Sequence, residues 1–418
     1  MAQQGAPQIG SACRFLPGMI RPTRRSTLLG AGLAVLGLNG CASAQSTKLE
    51  LWNNATGPHL RGAVIAQRRV YPELDGLEFL GAGPVGVPVE DSALASLARN
   101  GANLVVLSHP GICNEWAPFD PDPAIEDHLN DMVRRCELAG LFVVIGFRTG
   151  PGRSEFTFHR GDAGGWFPED MIDDRVWASA AAQDGWDRMW RRVANRFKDR
   201  PNVAGYLLMV EPNANQAAPG PEGEDLDEWD PARLSGRVAG TPADWPVLAR
   251  RLSAAIREHD TETPILMSPD GYANSAFVPL LDLHSAPGIV LAVHDYSPRA
   301  YTHQGRGDGI GLENGDARFI APQASHWMMG EFGPVRWAPD ADQYLHRRVA
   351  DLERAGAGWA IFRWDSGWRV YEDRENSFNA LYGSDPDATQ IAPRAPMMAA
   401  LQSLWARNRS RPLPLLRR

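Results

Sequence analysis

Eight apolar runs, each ending in polar or glycine-rich residues, constrain this chain more than any other feature. They are LEFLGAG (77–83), ANLVVLSHPG (102–111), LFVVIGFRTGPGR (141–153), NVAGYLLMVEP (202–212), PILMSPDG (264–271), GIVLAVHDYSP (288–298), HWMMGEFGP (326–334) and AGWAIFRWDSGW (357–368). Each is short and apolar throughout, as a strand buried on both faces must be. Helical patterns separate many of them. EDSALASLARNG stops at Gly101, PAIEDHLNDMVRRCELAG has Pro near its start and Gly140 at its end, and a long helix is expected from about Arg175 to Asp199. TPADWPVLARRLSAAIREHD and DADQYLHRRVADLERAG follow the same logic. Alternation on this scale predicts a parallel sheet.

An open doubly wound sheet is the rival. It needs a glycine-rich phosphate loop opening a helix directly after its first strand. GAGPVGVP offers two glycines, but Pro84 follows and no helix opens there. The chain is therefore expected to be α/β, a single closed (β/α)8 barrel over residues 46–418. In that fold the working residues sit at the C-terminal ends of the strands.

Residues 1–45 are set apart as an export signal. Arg24-Arg25 precedes the apolar segment Leu28 to Leu38, which resembles a twin-arginine signal and is too short to stay in a bilayer. LNGC, ending at Cys41, is a candidate lipobox and thus a possible lipid anchor; ASA (Ala42 to Ala44) is a candidate soluble cleavage site. Either outcome puts the mature protein outside the bacterial cytoplasm, periplasmic, secreted or anchored to the outer membrane. The net charge of −8 argues against a nucleic-acid surface. Cys113 and Cys136 fall at opposite ends of the barrel, so free thiols are expected. No sequence pattern calls for a metal or other cofactor.

Two runs end on a carboxylate, Glu211 in MVEPNAN and Glu331 in MGEFG. By strand count they stand at the fourth and seventh strand ends, nearly across the barrel mouth. Two facing carboxyls about 5 Å apart are what retaining glycoside hydrolysis requires. His109, at the end of the second run, is a candidate sugar contact. Asn213 and Asn215 are candidates for the leaving-group side. Trp116, Trp166, Trp229, Trp337 and Trp368 lie in or near loops at the mouth, with Trp337 the favoured sugar platform. The acidic stretch Gly220 to Asp230 is read as a solvated insertion or a lid.

Together MVEPNAN, VHDYSP, MGEFG and IFRWDSG resemble clan A glycoside hydrolases, most closely family 5, the cellulase and mannanase group. The resemblance covers about Leu77 to Trp405. It implies Glu211 as acid/base and Glu331 as nucleophile. It implies His294 and Tyr296 beside the site, Tyr296 contacting the nucleophile, and Trp364 as the floor of the sugar site. The partner is then a carbohydrate, a β-linked glycan cleaved with retention. The chain departs from the family at three places. Val210 stands where an asparagine precedes the acid/base, Val106 where strand two carries arginine, and Arg148 where a histidine follows strand three. Arg148 is expected to substitute for the lost arginine by reaching the nucleophile. The departures keep two alternatives open: a clan A hydrolase of another family, acting on an unusual exopolysaccharide or α-configured pentoside, and a non-catalytic glycan-binding lipoprotein.

Overall fold

A computed structural model describes residues 47–76, 79–220, 223–313, 319–368 and 376–412. Residues 1–45, expected to form an export signal, and Cys41 within them lie outside the described residues. Eight parallel strands close into a barrel: β1 Arg61–Ala66, β2 Leu104–His109, β3 Phe142–Phe147, β4 Val203–Leu207, β5 Ile265–Met267, β6 Ile289–His294, β7 Trp327–Glu331 and β8 Gly358–Ile361. Each pairs with its sequence neighbour, and β1 closes the ring on β8 through Arg61↔Trp359 to Ala63↔Ile361. Close approach of β1 to β2 needs Gly62: a Cβ there would lie 1.8 Å from the Leu104 carbonyl oxygen.

One expectation is corrected. LEFLGAG does not supply the first strand. Leu77 and Glu78 lie outside the described residues, and Phe79 to Gly83 run through bends. The first strand is the earlier segment Arg61–Ala66. Its charged start conceals it in the sequence, yet Arg61 is buried at the barrel's lower end, where Nε meets Glu353 Oε1 at 2.5 Å. Beyond β1, Arg68–Arg69 and Val85–Gly86 form a small antiparallel ribbon at the opposite end.

Side-chain alternation divides the apolar residues into two layers. Val64, Leu104, Val106, Val144, Ala204, Leu266, Val290, Ala292, Met328 and Ala360 fill the barrel. Trp52, from the segment preceding β1, joins this interior and donates from Nε1 to the Ala204 carbonyl at 3.0 Å. The alternate residues, among them Ile65, Val105, Leu107, Ile145 and Met329, pack outward with the helices.

Those helices are α1 Asp91–Arg99, α2 Pro123–Leu138, α3 Ala180–Phe197, α4 Pro231–Val238, α5 Trp245–Arg257, α6 Ala341–Arg354 and α7 Pro396–Trp405. Caps fix several starts: Asp122 accepts from the Ala124 and Ile125 amides, Ser179 from Ala182 and Asp244 from Val247. Such caps contribute about 1 kcal/mol each. The helix expected from Arg175 begins as a 3-10 turn, Arg175–Trp177, before α3. Among the described residues, β5 is followed only by the short helical turns Asp270–Ala273 and Ser275–Leu280, and β6 by Arg299–Thr302. Cys113 and Cys136 are buried and unpaired. No helix of the described residues is long and apolar enough to cross a membrane.

Candidate active site

Glu331 is the last residue of β7 and is buried. Glu211 lies just past β4. The chain between keeps partial pairing to both neighbours: the Leu208 amide donates to Leu266 O at 3.1 Å and the Val210 amide to Phe147 O at 2.8 Å. Val210 turns into the barrel interior, and Glu211 then adopts the left-handed conformation, φ 52°. A non-glycine residue there costs on the order of 1 kcal/mol and needs support.

Arg153 provides that support. Its guanidinium is buried and donates from Nη1 to the carbonyls of Arg148 (2.7 Å) and Val210 (2.9 Å). From Nη2 it donates to the Glu211 carbonyl (2.5 Å) and Asn213 Oδ1 (3.2 Å). Trp177 Nε1 donates to the same Asn213 oxygen at 3.2 Å. One cation thus fixes the ends of β3 and β4 together.

At the mouth, His294 ends β6 and points Nδ1 between the carboxyls, 3.1 Å from Glu211 Oε1 and 3.5 Å from Glu331 Oε2. Carboxylate and imidazole atoms of Glu211, His294 and Glu331 all come within 4.8 Å of one another. Among the described residues, this is the grouping of His, Cys, Asp and Glu that has the geometry to hold a cation. Tyr296 donates its hydroxyl to Glu331 Oε2 at 3.0 Å, as the resemblance implied. Arg148, expected to reach Glu331, instead approaches Glu211 Oε2, with Nη1 at 3.5 Å. Its Nε donates to both oxygens of Glu155, at 3.1 and 3.2 Å, and its guanidinium lies 3.6 Å from the Phe158 ring centre.

Charge is distributed unevenly over the pair. Burial raises the proton affinity of Glu211, but the His294 hydrogen bond and charge, with Arg148 and Arg153, outweigh it and hold the carboxyl below its ordinary range. Burial pushes Glu331 up, and the Glu211 charge adds to it against His294, Arg148 and Tyr296. Burial disfavours the imidazolium of His294, yet the two carboxylates raise it overall. Glu155 shows the same competition: burial raises it, while Arg148 and His159 bring it down to about 2.

Two cavities flank this centre. One, of about 800 Å³, is lined by both glutamates, His294, Tyr296, Trp229 and Tyr272, among others. Trp229 and Tyr272 stack there with ring centres 6.2 Å apart and planes 17° apart. The other, of about 660 Å³, lies over β1 and β2 and includes Gln67, Arg68, Ser108, Glu155 and Trp166. Arg148 and Phe362 line both.

Several sequence candidates lie elsewhere. His109 is wholly buried, with Nδ1 2.6 Å from Pro110 O and Nε2 2.9 Å from His128; it faces outward from β2 and lines neither of the two cavities. Trp364 is packed outside the barrel, Nε1 donating to Ala93 O at 3.0 Å and its ring against Trp405; the aromatic at the mouth after β8 is Phe362. Trp337 belongs to a separate pocket and donates to Gln304 O at 3.1 Å. Asn213 and Asn215 are fully buried and frame the Glu211 turn rather than the cleft. Trp116 packs edge-on to Tyr71. Trp368 lines neither cavity. Of the acidic stretch, Pro221 and Glu222 lie outside the described residues, and Asp225 pairs with Arg160 at 2.8 Å. Sequence reading missed Arg153, Glu155, Phe158, Tyr272 and Phe362. Only the proximity of Arg153 and Glu155 to the third strand end hinted at the first two.

The chain resembles many solved barrels. It aligns with an endoglucanase at 17% identity and TM-score 0.54, covering 85% of this chain and 99% of that one. The endoglucanase Cel5A of Thermotoga maritima gives 15%, 0.54, 85% and 99%. The cellulose synthase subunit Z of Clostridioides difficile gives 14%, 0.53, 82% and 99%. These likenesses show the fold. No curated protein matches the chain significantly. The family model described as cellulase (glycosyl hydrolase family 5) matches residues 77–366. With the match spanning more than half of the sequence, this chain belongs to glycoside hydrolase family 5 and is a glycoside hydrolase of the β-glycan-cleaving type.

Proposed function

We propose that this protein is an exported, endo-acting β-glycanase that works with retention, Glu331 as nucleophile and Glu211 as general acid/base. One observation carries the reading: the carboxyl oxygens of the pair approach within 4.8 Å. Retaining enzymes hold the two groups about 5–5.5 Å apart, whereas inverting ones leave about 6.5–9.5 Å for a water. Cavities on both sides of the pair support cleavage within a chain.

Glu331 attacks the anomeric carbon while Tyr296 holds its second oxygen in place. Glu211 protonates the leaving oxygen, then removes a proton from the incoming water. The proton is shared within the cluster, because two carboxyls and an imidazole this close titrate together. His294 Nδ1 is the nearest store for Glu211. Solved structures of Thermotoga maritima Cel5A contain cellobiose or mannotriose, and β-glucans and mannans are accordingly the substrates we infer first. Because Val210 faces the barrel interior instead of presenting an amide to the cleft, bacterial exopolysaccharides belong in the same screen.

Release of reducing ends from glucan, mannan, xylan and exopolysaccharide tests the activity, and ¹H NMR of the first-formed anomer tests the stereochemistry. A β anomer is expected; an α anomer first would exclude retention, and no hydrolysis of any of them would exclude the reading itself. Mass spectrometry of the mature N-terminus tests export. A lipidated Cys41 or a new terminus at Gln45 is expected, and an intact Met1 or Met19 would refute it.

A further inference from the structure

We infer that Arg148 is a catalytic residue that donates to the oxygen on C2 of the sugar being cleaved. The inference rests on the retaining reading above. In such reactions hydrogen bonds to the 2-hydroxyl strengthen in the transition state and supply several kcal/mol. The reacting carbon must lie between Glu211 and Glu331, so the C2 oxygen, one carbon away, meets whatever donor borders that gap.

Few donors there are unused. Tyr296 gives its hydroxyl proton to Glu331. His294 directs Nδ1 at the two carboxyls, and its Nε2 is buried next to Gly330. Val210 points into the barrel. Arg148 spends Nε on Glu155 and only a long 3.5 Å contact from Nη1 on Glu211. Its Nη2 has no protein partner among the described residues, and the side chain is 22% exposed. It borders both cavities, so its free face opens on the junction of the cleft, where the reacting sugar sits.

The guanidinium is also preorganised. Phe158 lies against one face at 3.6 Å, and Glu155 fixes the Nε edge. A donor held this way loses little freedom when substrate arrives. An arginine stays charged at every working pH, and hydrogen bonds from charged donors are roughly twice as strong as neutral ones. The two carboxyls and Glu155 offset its repulsion of the positive charge developing on the sugar ring.

The test couples residue to substrate atom. Wild type, Arg148→Lys and Arg148→Met are assayed on an aryl β-cellobioside or β-mannobioside and on the analogue lacking the 2-hydroxyl at the cleaved sugar. Wild type should lose about a hundredfold in kcat/KM when the hydroxyl is removed. Arg148→Met should lose a similar factor on the parent substrate and differ little from wild type on the deoxy analogue, with Arg148→Lys in between. Equal losses by the variants on both substrates would assign Arg148 to tuning Glu211 and overturn the inference, leaving the retaining reading intact. A wild type inactive on every β-glycoside would remove both.

Discussion

His294 Nδ1 lies 3.1 Å from Glu211 Oε1. The same nitrogen is 3.5 Å from Glu331. An imidazole held between two carboxylates gains affinity for its proton, and that gain is linked to folding. A raised histidine pKa contributes stability that is fully present below the unfolded value, about 6.5. It is lost as pH rises through the folded value. His294→Gln should therefore cost most stability near pH 5.5 and least near pH 9, read by urea unfolding at both. The variant should also lose on the order of a hundredfold in kcat, since Glu211 no longer has its nearest proton donor.

Arg153 gives a prediction of another kind. It touches no substrate position but ties the carbonyls of Arg148, Val210 and Glu211. Arg153→Met leaves these acceptors unpaired, at about 1–3 kcal/mol each where water cannot reach them. It also frees the left-handed turn at Glu211. Stability should fall by several kcal/mol, and kcat should fall at least tenfold while KM stays within about threefold, because a misplacement of order 1 Å weakens the reaction more than binding. Asn213→Ala should show the same pattern more weakly. A rise in KM with kcat unchanged would place Asn213 in the cleft after all.

Much of this was legible in the sequence, and the misses share a cause. Seven of the eight strands, the barrel and the two glutamates follow from apolar runs, two of which end in a carboxylate, whereas β1 is concealed by its charged start at Arg61. His109 was misplaced although the strand's own period decides it. Val106 faces in and Leu107 out, so Ser108 faces the cavity and His109 the outer layer. The same alternation puts Arg148 inward after outward-facing Phe147. Trp364 defeats that rule because the chain leaves its strand path after Ile361, and Trp364 turns back to donate its amide to Val64 O at 3.0 Å. Arg153 was invisible for a different reason: its partners are backbone carbonyls, which leave no residue pattern.

The Phe362 and Trp364 assignments can be separated by mutation. Phe362 borders both cavities, whereas Trp364 is buried behind the barrel wall. Phe362→Ala should raise KM severalfold with little loss of stability. Trp364→Ala should cost about 3–5 kcal/mol in unfolding free energy, as large aromatic truncations do, with KM unchanged in the folded fraction. The reverse outcome would return Trp364 to the sugar site.

Glu155 sets an acid limit. Its carboxyl is brought down to about 2 by Arg148 and His159 against the effect of burial. A depressed carboxyl contributes stability above the unfolded pKa, about 4.3, and loses it as pH falls toward 2. The shift corresponds to roughly 3 kcal/mol. Glu155→Gln should be less stable than wild type by about that amount at pH 7, and the gap should close progressively between pH 4.5 and 2.5.

The two glutamates should fail differently when removed. Glu331→Ala takes away the attacking oxygen, so activity should fall by on the order of 10⁴-fold or more. Azide is small enough to enter the vacated space and attack from the same side as the missing carboxylate. The product would be a glycosyl azide of inverted configuration, since only one displacement has taken place. Glu211→Ala leaves the nucleophile intact, so an aryl glycoside with an acidic phenol, which departs without protonation, should still form the glycosyl-enzyme. The slow step is then its hydrolysis, where the missing base would have activated water. Azide needs no base, so it should accelerate turnover and give the retained azide after two displacements. Configuration of the two azides by NMR therefore assigns the roles independently of rate. Retained azide from Glu331→Ala and inverted azide from Glu211→Ala would reverse the assignment, with Glu211 as nucleophile. That reversal has a physical basis worth testing, because the cations around Glu211 favour its ionised form in the empty site.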